Sequence, residues 1–403
     1  MINELPSAAR AELDALVAAN VGKVFPATAL TVIKDGAVVV DAAWGFIDPD
    51  SRQIPVQPDS LFDIASISKV FTFTTFLALL SAHGLALDTP LVEVVPEFGI
   101  SGPRPIDGGQ DPHTKEQLPT PSESAGQTVD PAAITFRHLL THTSGLSPWR
   151  AVYAAAGAPP LPPAQVDPLA RSERWRKALH ALCNYPFVAQ PGGQVRYSDL
   201  GLMLLGEAAS RLNSTPGELD KAVSKQVLQP LNLTSATYNP LQAERMLRSI
   251  APTEYDSTWR KRRVWGEVHD ENACGVGGVA GHAGIFAAAR DVAALGQAWL
   301  DDDPRLGIAP HVLAEARTEQ ARNGFRFGLG WMLRAEKDSS ASDKFHPESY
   351  GHTGFTGTSL WVDPAQKLVV ACLTNSVYPG RAKTGTHEFR QALHAMLARA
   401  LRS

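Results

Sequence analysis

Apolar and polar positions along the chain follow two different periods. Residues Ser7 to Ala19 repeat with helical spacing, which puts Leu13, Leu16 and Val17 on one side. Two apolar runs, Ala27 to Ile33 and Ala37 to Trp44, flank Lys34-Asp35-Gly36, and Asp-Gly supplies the positive φ that a tight hairpin turn requires. Ser66 to Ala82 reads as a buried helix closed by Gly84. Residues 99–132 are rich in Gly, Pro, Ser and charge and read as a long surface insertion; the Ala/Pro segment 154–168 reads the same way. Helical spacing returns near 171–183, 199–213, 218–228 and 290–301. From Phe325 the period changes to that of strands, at 325–334, 349–354, 358–363 and 367–374, and a terminal helix covers 387–402.

Strands therefore sit at both ends of the chain and helices fill its middle. The expected fold class is α/β (α+β): one antiparallel sheet built from both termini and flanked by helices, with an all-helical region inserted. The expected division is 1–64 with 285–403 for the sheet region and 65–284 for the helical region. No internal repeat is visible.

Composition narrows the function classes. With 403 residues, 44% hydrophobic and 19% charged, the chain can bury a large core, which excludes a disordered or disulfide-stapled protein. Lys and Arg total 37 against 41 Asp and Glu, giving −4 and no long block of one sign; a nucleic-acid partner is not expected. Cys183, Cys274 and Cys372 are far apart and suit a reducing compartment. The N-terminal residues Met1 to Pro6 carry no basic and apolar leader pattern, so a cytoplasmic location is expected unless a signal was removed. The most apolar stretch, Val70 to Leu80, falls short of the ~20 residues that cross a bilayer, and no membrane partner is expected.

Several familiar patterns fail on context. Gly275-Val276-Gly277-Gly278-Val279-Ala280 fits a loose dinucleotide-binding pattern, but the residues before it are too polar for the buried strand that pattern needs. There is no G-x-S-x-G and no H-E-x-x-H, so neither an α/β-hydrolase elbow nor a zinc protease is expected; no metal and no cofactor are assigned. Arg260-Lys261-Arg262-Arg263 reads as a solvated face rather than an anion site.

Three short motifs carry chemistry. Ser66-Ile67-Ser68-Lys69 is the only S-x-x-K, and it opens the apolar helix. A serine there sits among unsatisfied N–H groups, and Lys69 lies one turn on, on the same face. Burial beside Ile67, Val70 and Phe71 would lower the lysine pKa and suit it to accept a proton. Tyr197-Ser198-Asp199 follows the turn Pro191-Gly192-Gly193-Gln194 and precedes a helix; a tyrosine beside an ammonium loses its proton more readily. His352-Thr353-Gly354 ends a strand, where glycine permits close backbone approach.

Ser66-x-x-Lys69, Tyr197-x-Asp199 and His352-Thr353-Gly354, in this order, resemble the serine β-lactamase and penicillin-binding protein superfamily. The nearest likeness is to its class C-like branch of D-alanyl-D-alanine carboxypeptidases and family VIII esterases. Phe136 to Leu146, Gly277 to Gly284 and Leu373-Thr374-Asn375 extend the resemblance over about residues 25 to 400. It implies Ser66 as acylated nucleophile, Lys69 as its proton partner and Tyr197 as proton shuttle. It also implies an oxyanion hole from the N–H groups of Ser66 and Phe355, and His352 and Thr353, with Gly354 and Asp199, as substrate-binding positions. Residues 136–146 would mainly shape the cleft. Two departures stand out: Asp199 where the motif often has Asn, and His352 where it often has Lys. A carboxylate near Lys69 favours the ammonium and pushes the base role toward Tyr197. A histidine brings weaker, pH-dependent charge; with the imidazole facing the cleft and protonated, it would attract a substrate carboxylate up to about pH 6 to 7.

The resulting expectation is a serine hydrolase that cleaves a small ester or amide through an acyl-enzyme on Ser66, with acyl transfer to another acceptor also open. The enzymatic alternative is a D-alanyl-D-alanine carboxypeptidase. The alternative of another class is a non-catalytic protein that binds β-lactams or D-amino-acid peptides. The expected partner is a small-molecule ester, amide or short peptide.

Overall fold

The computed structural model describes residues 4–163, 165–382 and 384–402. Met1–Asn3, Ala164, Lys383 and Ser403 fall within the expected segments 1–64, 154–168 and 285–403 but lie outside the described residues.

Eight antiparallel strands form the main sheet, in the spatial order 321–323, 325–327, 332–333, 350–353, 359–363, 368–374, 27–34 and 37–45. The two ends of the chain meet where Ala27–Lys34 pairs with Leu368–Thr374, with Thr28 opposite Thr374 and Lys34 opposite Leu368. Ala29, Ile33, Val369 and Ala371 face the cluster that includes helix Ala289–Leu300. Leu30, Val32, Val370 and Cys372 face the opposite cluster, closed by helices Ser7–Ala18 and Thr386–Ala400. Ala27–Lys34 is buried at every position for this reason, and a strand covered on both faces reads as a continuous apolar run rather than an alternation. The first hairpin turns on two residues, Asp35 at φ 51° and Gly36 at φ 77°, the paired positive φ values of a type I′ turn.

The helix behind the sheet begins with a 3₁₀ turn, Ala65–Ile67, continues as the α-helix Ser68–His83 and stops at Gly84, whose φ is 63°. Ser68 to Leu80 are all buried. The stretch Ala65–His83 is long and apolar enough to cross a membrane, longer than the run read from sequence, but 83% of its most apolar window is buried inside the protein. Helix Asp199–Leu212 packs beside it.

Four sequence readings need correction. The inserted region 65–284 is not all-helical: 104–105 pairs with 128–129, 255–256 with 262–263, and 237–238 with 285–287. The expected strand 325–334 is two short strands, 325–327 and 332–333, because the chain must turn through Gly330 at φ 85°; its neighbour Gly328 has room for no side chain, a Cβ there falling 2.0 Å from the carbonyl oxygen of Ala316. Arg260 is not on a solvated face: it is buried and bonds Asp256 together with the carbonyl oxygens of Val268 and His269. The glycine run 275–281 is a packing device. A Cβ on Gly281 would lie 2.0 Å from the carbonyl oxygen of Leu202, so only glycine lets this loop touch helix Asp199–Leu212.

Two glycine-to-alanine variants separate conformational from steric cost. Gly36→Ala meets nothing within 4 Å and costs about 1 kcal/mol of stability through its positive φ alone. Gly281→Ala forces a backbone clash and costs at least about 3 kcal/mol. Denaturant midpoints of the two variants measure the difference, and equal losses would contradict the packing account.

Candidate active site

Ser66 lies on the 3₁₀ turn that precedes the core helix. Ala65, directly before it, has φ 48°, a conformation that costs a non-glycine residue about 1 kcal/mol or more and survives only when its surroundings enforce it. Asp63 does the enforcing. Its buried carboxylate accepts the N–H of Ala65 at 2.8 Å and of His269 at 2.7 Å, and burial raises its pKa despite these bonds. The turn is also stitched to the sheet: Thr356 Oγ1 donates to the carbonyl of Asp63 at 2.7 Å and Thr358 Oγ1 to that of Ile64 at 3.0 Å. Gly354 makes this approach possible, since a Cβ there would sit 2.6 Å from the Ile64 carbonyl oxygen. Asp63 organises the turn that carries Ser66, and no motif flags it; its only sequence signal is a charge inside the apolar stretch before Ser66.

Lys69, 1% exposed, gathers the site around its ammonium. Nζ donates to Ser66 Oγ at 2.8 Å and to the carbonyl of His282 at 3.1 Å, and it pairs with Asp199 Oδ1 at 2.8 Å. It also lies 4.8 Å from the centre of the Tyr197 ring. Burial disfavours the charge, but the attraction of Asp199 and Tyr197 outweighs it and raises the lysine pKa above its ordinary value. The expectation of a lowered lysine pKa is therefore corrected: Lys69 is a fixed ammonium. The expectation that Tyr197 loses its proton more readily is corrected as well: burial raises its pKa above the ordinary value, and Lys69 only opposes the rise.

Tyr197 is presented at the start of helix Asp199–Leu212. Ser198 caps that helix by accepting the Gly201 N–H at 3.2 Å, and its own hydroxyl donates to the Ser147 carbonyl at 2.7 Å. His142, at φ 57°, lays its ring 4.6 Å from that of Tyr197 and accepts the Ser198 N–H on Nδ1 at 3.1 Å. Burial, followed by the charge of Lys69, keeps His142 neutral. Residues 136–146 thus do more than shape the cleft: they fix the tyrosine.

His352, Thr353, Gly354 and Phe355 border the cleft beside Ser66 and Tyr197. The reading of His352 as a cleft imidazolium needs correction. The ring is 1% exposed, its Nδ1 pairs with the Thr353 carbonyl at 2.9 Å, and burial together with Lys69 depresses its pKa to about 3. A neutral imidazole cannot hold a carboxylate by charge at neutral pH.

Two cavities meet at Ser66, Tyr197 and Phe355. One, about 350 Å³, is walled by Phe325, Phe327, Met332 and Arg390. The other, about 290 Å³, is walled by Trp149, Lys115, Asp270, Glu271 and Arg381. Asp199, Asp270 and His282 place one ligand atom each within 4.8 Å of one another. Lys69 already sits on Asp199, and His282 Nε2 lies 2.8 Å from Asp270, so a metal ion there would meet an ammonium. A separate cavity of about 430 Å³, bordered by Pro160, Leu161, Val166 and Asp167, is lined by none of the candidate residues.

A sheet from both chain ends, a helix-borne S-x-x-K joined to a Tyr-x-Asp, and a strand-end His-Thr-Gly together define a hydrolase of the β-lactamase type. Residues 13–394 match the family described as Beta-lactamase, and the chain belongs to it. The chain is 28% identical over 388 residues, 90% of its length and 81% of the other protein's, to the "Putative D-alanyl-D-alanine carboxypeptidase" of Escherichia coli. It is 29% identical, over 90% of its length and 80% of the other's, to the "N-acetylmuramyl-L-alanine amidase" of Bacillus subtilis. Among solved structures it resembles "EstCE1, a hydrolase with promiscuous acyltransferase activity", with TM-score 0.69, 18% identity, and 96% of this chain and 98% of that one covered.

The buried neutral histidines set a stability trend. An unfolded histidine takes up a proton near pH 6.5, whereas folded His352 does so only near 3, so its contribution is present above about 6.5 and lost as pH falls toward 3. Denaturant midpoints should decline from about pH 6.5 to 4, while KM for a carboxylate-bearing substrate shows no inflection near 6.5. An inflection there, abolished by His352→Gln, would restore the imidazolium reading.

Proposed function

We propose that the protein hydrolyses a small amide through an acyl-enzyme on Ser66, in the chemical class of an amino acid joined by an amide to an acyl group. The carrying observation is that Lys69 Nζ lies 2.8 Å from both Ser66 Oγ and Asp199 Oδ1, where a charged cavity meets an aromatic one. The charged cavity suits the ionic end of an amino-acid amide, and both similar proteins carry names of amide hydrolases that act at alanine.

Ser66 Oγ attacks the acyl carbonyl and gives its proton to the Tyr197 phenolate, which the Lys69 ammonium stabilises. The backbone N–H groups of Ser66 and Phe355 receive the developing oxyanion. Tyr197 then protonates the departing amine. A water enters, gives its proton to the Tyr197 phenolate and attacks the acyl carbon. Tyr197 then returns that proton to Ser66 Oγ as the ester C–O bond breaks, which releases the acid and restores the phenolate. Asp199 keeps Lys69 charged throughout, so the ammonium positions and stabilises while the tyrosine exchanges protons. A second reading, ester hydrolysis, draws support from the Phe325, Phe327 and Met332 wall, which suits an apolar acyl group.

Parallel assays with nitrophenyl esters, a chromogenic cephalosporin, D-alanyl-D-alanine peptides and N-acetylmuramyl-L-alanine test the substrate class. Amide turnover above ester turnover is expected; the reverse order would favour the second reading, and binding without turnover would replace both with a binding protein. Ser66→Ala should remove covalent labelling by a fluorophosphonate, and Tyr197→Phe should lower kcat by about 10² or more. Labelling that persists without Ser66 would defeat the assignment.

The raised tyrosine pKa fixes the direction of the pH dependence. Tyr197 is mainly a phenol at neutral pH and only its ionised fraction reacts, so kcat/KM for a neutral ester should climb about tenfold per pH unit from 7 to beyond about 9. A plateau below about pH 8 would assign the base to another group.

A further inference from the structure

We infer that Lys115, carried by the 99–132 insertion, is a specificity-determining residue that binds the carboxylate of the departing amino acid in the charged cavity beside Ser66. This inference rests on the amide-hydrolase reading above and adds to it the group the substrate must carry.

The insertion is a folded wall of the cleft, which its sequence did not reveal. Arg150 anchors it through Asp107 at 2.5 Å, and Gln110 Oε1 accepts the Ala151 N–H at 2.9 Å. Within it, Asp111 closes a turn by accepting the N–H groups of His113 and Thr114, both at 2.7 Å, and the Lys115 N–H reaches the Asp111 carbonyl at 3.0 Å. Lys115 itself has φ 65°, a strained value for a side chain of this kind, enforced by the turn. The strained turn places Lys115 on the wall of the cavity that Ser66, Tyr197 and Trp149 also line.

The other charges of this cavity are spoken for. Arg381 lies 2.7 Å from both Glu254 and Glu271, Asp270 is paired with His282, and Asp199 with Lys69. Lys115 is differently placed. Its Nζ donates to the Pro112 carbonyl at 2.6 Å and lies 4.0 Å from the centre of the Trp149 ring, but Glu271 is 3.9 Å away, beyond hydrogen-bond reach. An ammonium has three donors and the Pro112 carbonyl takes one, so donor capacity remains for an incoming carboxylate. Burial lowers the Lys115 pKa, helped by Arg381 and opposed by Glu271, Asp270 and Asp111, so the charge is held against a loss of solvation that a hydrogen-bonded carboxylate would offset. His352, buried beside the other cavity and with its pKa depressed, leaves that task unfilled.

The test compares N-acetyl-D-alanyl-D-alanine and N-acetylmuramyl-L-alanine with their C-terminal carboxamides, in wild type, Lys115→Gln and Lys115→Arg. The ratio of kcat/KM for acid over carboxamide should fall about tenfold in Lys115→Gln, carried by KM, and recover in Lys115→Arg. A ratio that is unchanged in Lys115→Gln, or that fails to recover in Lys115→Arg, overturns the inference. Covalent labelling of Ser66 by a fluorophosphonate, measured in the same variants, keeps the two readings apart. Loss of labelling in wild type is failure of the acyl-enzyme reading, whereas intact labelling with an unmoved ratio is failure of the Lys115 assignment alone.

Discussion

A lysine ammonium buried to 1% exposure survives only against a counter-charge, and the pair of Lys69 with Asp199 is the constraint around which the site is arranged. An unpaired buried charge costs several kcal/mol, and breaking such a pair by removing one partner costs about 3–5. The pair also joins the two helices that carry the motifs, because Lys69 belongs to Ser68–His83 and Asp199 opens Asp199–Leu212. One interaction therefore favours the charged lysine and ties together the two helices that bring Ser66 and Tyr197 to the cleft.

Everything else in the neighbourhood permits that approach. Gly281 lets the loop after it come close enough to helix Asp199–Leu212 for the His282 carbonyl to reach Lys69. Gly354 does the same for the sheet, which the hydroxyls of Thr356 and Thr358 tie to the Ser66 turn. Asp63 holds the strained Ala65 and binds the chain ahead of Asp270, so one carboxylate links the Ser66 turn to the wall of the charged cavity. The glycines and the buried polar groups are the means by which an antiparallel sheet and a helical region share one cleft.

Local pattern made much of this legible. The Asp35-Gly36 hairpin, the uninterrupted run of Ala27–Lys34 and the helix stop at Gly84 depend on period and turn chemistry, which neighbouring residues determine. The motif residues Ser66, Lys69, Tyr197, Asp199, His352, Thr353, Gly354 and Phe355 meet at one cleft. What pattern could not supply was environment. Burial alone suggested a lowered pKa for Lys69, and only the 2.8 Å approach of Asp199 reverses the sign. His352 looked like a charge because nothing in its own segment records its tertiary burial or the nearby Lys69 ammonium. Residues 99–132 looked like surface because a polar, aperiodic segment carries no mark of the tertiary bonds that fold it over the cleft.

The claim that most of the account depends on is that Lys69 stays an ammonium while Tyr197 exchanges protons. Lysine labelled with 13C at Cε, with the Lys69 signal assigned by its absence in Lys69→Arg, reports that charge directly across a pH titration. The account predicts an ammonium shift that persists past the ordinary lysine value of about 10.4 in wild type and moves to lower pH in Asp199→Asn. A Lys69 signal that turns to the neutral amine near pH 8 in the wild-type protein would contradict it.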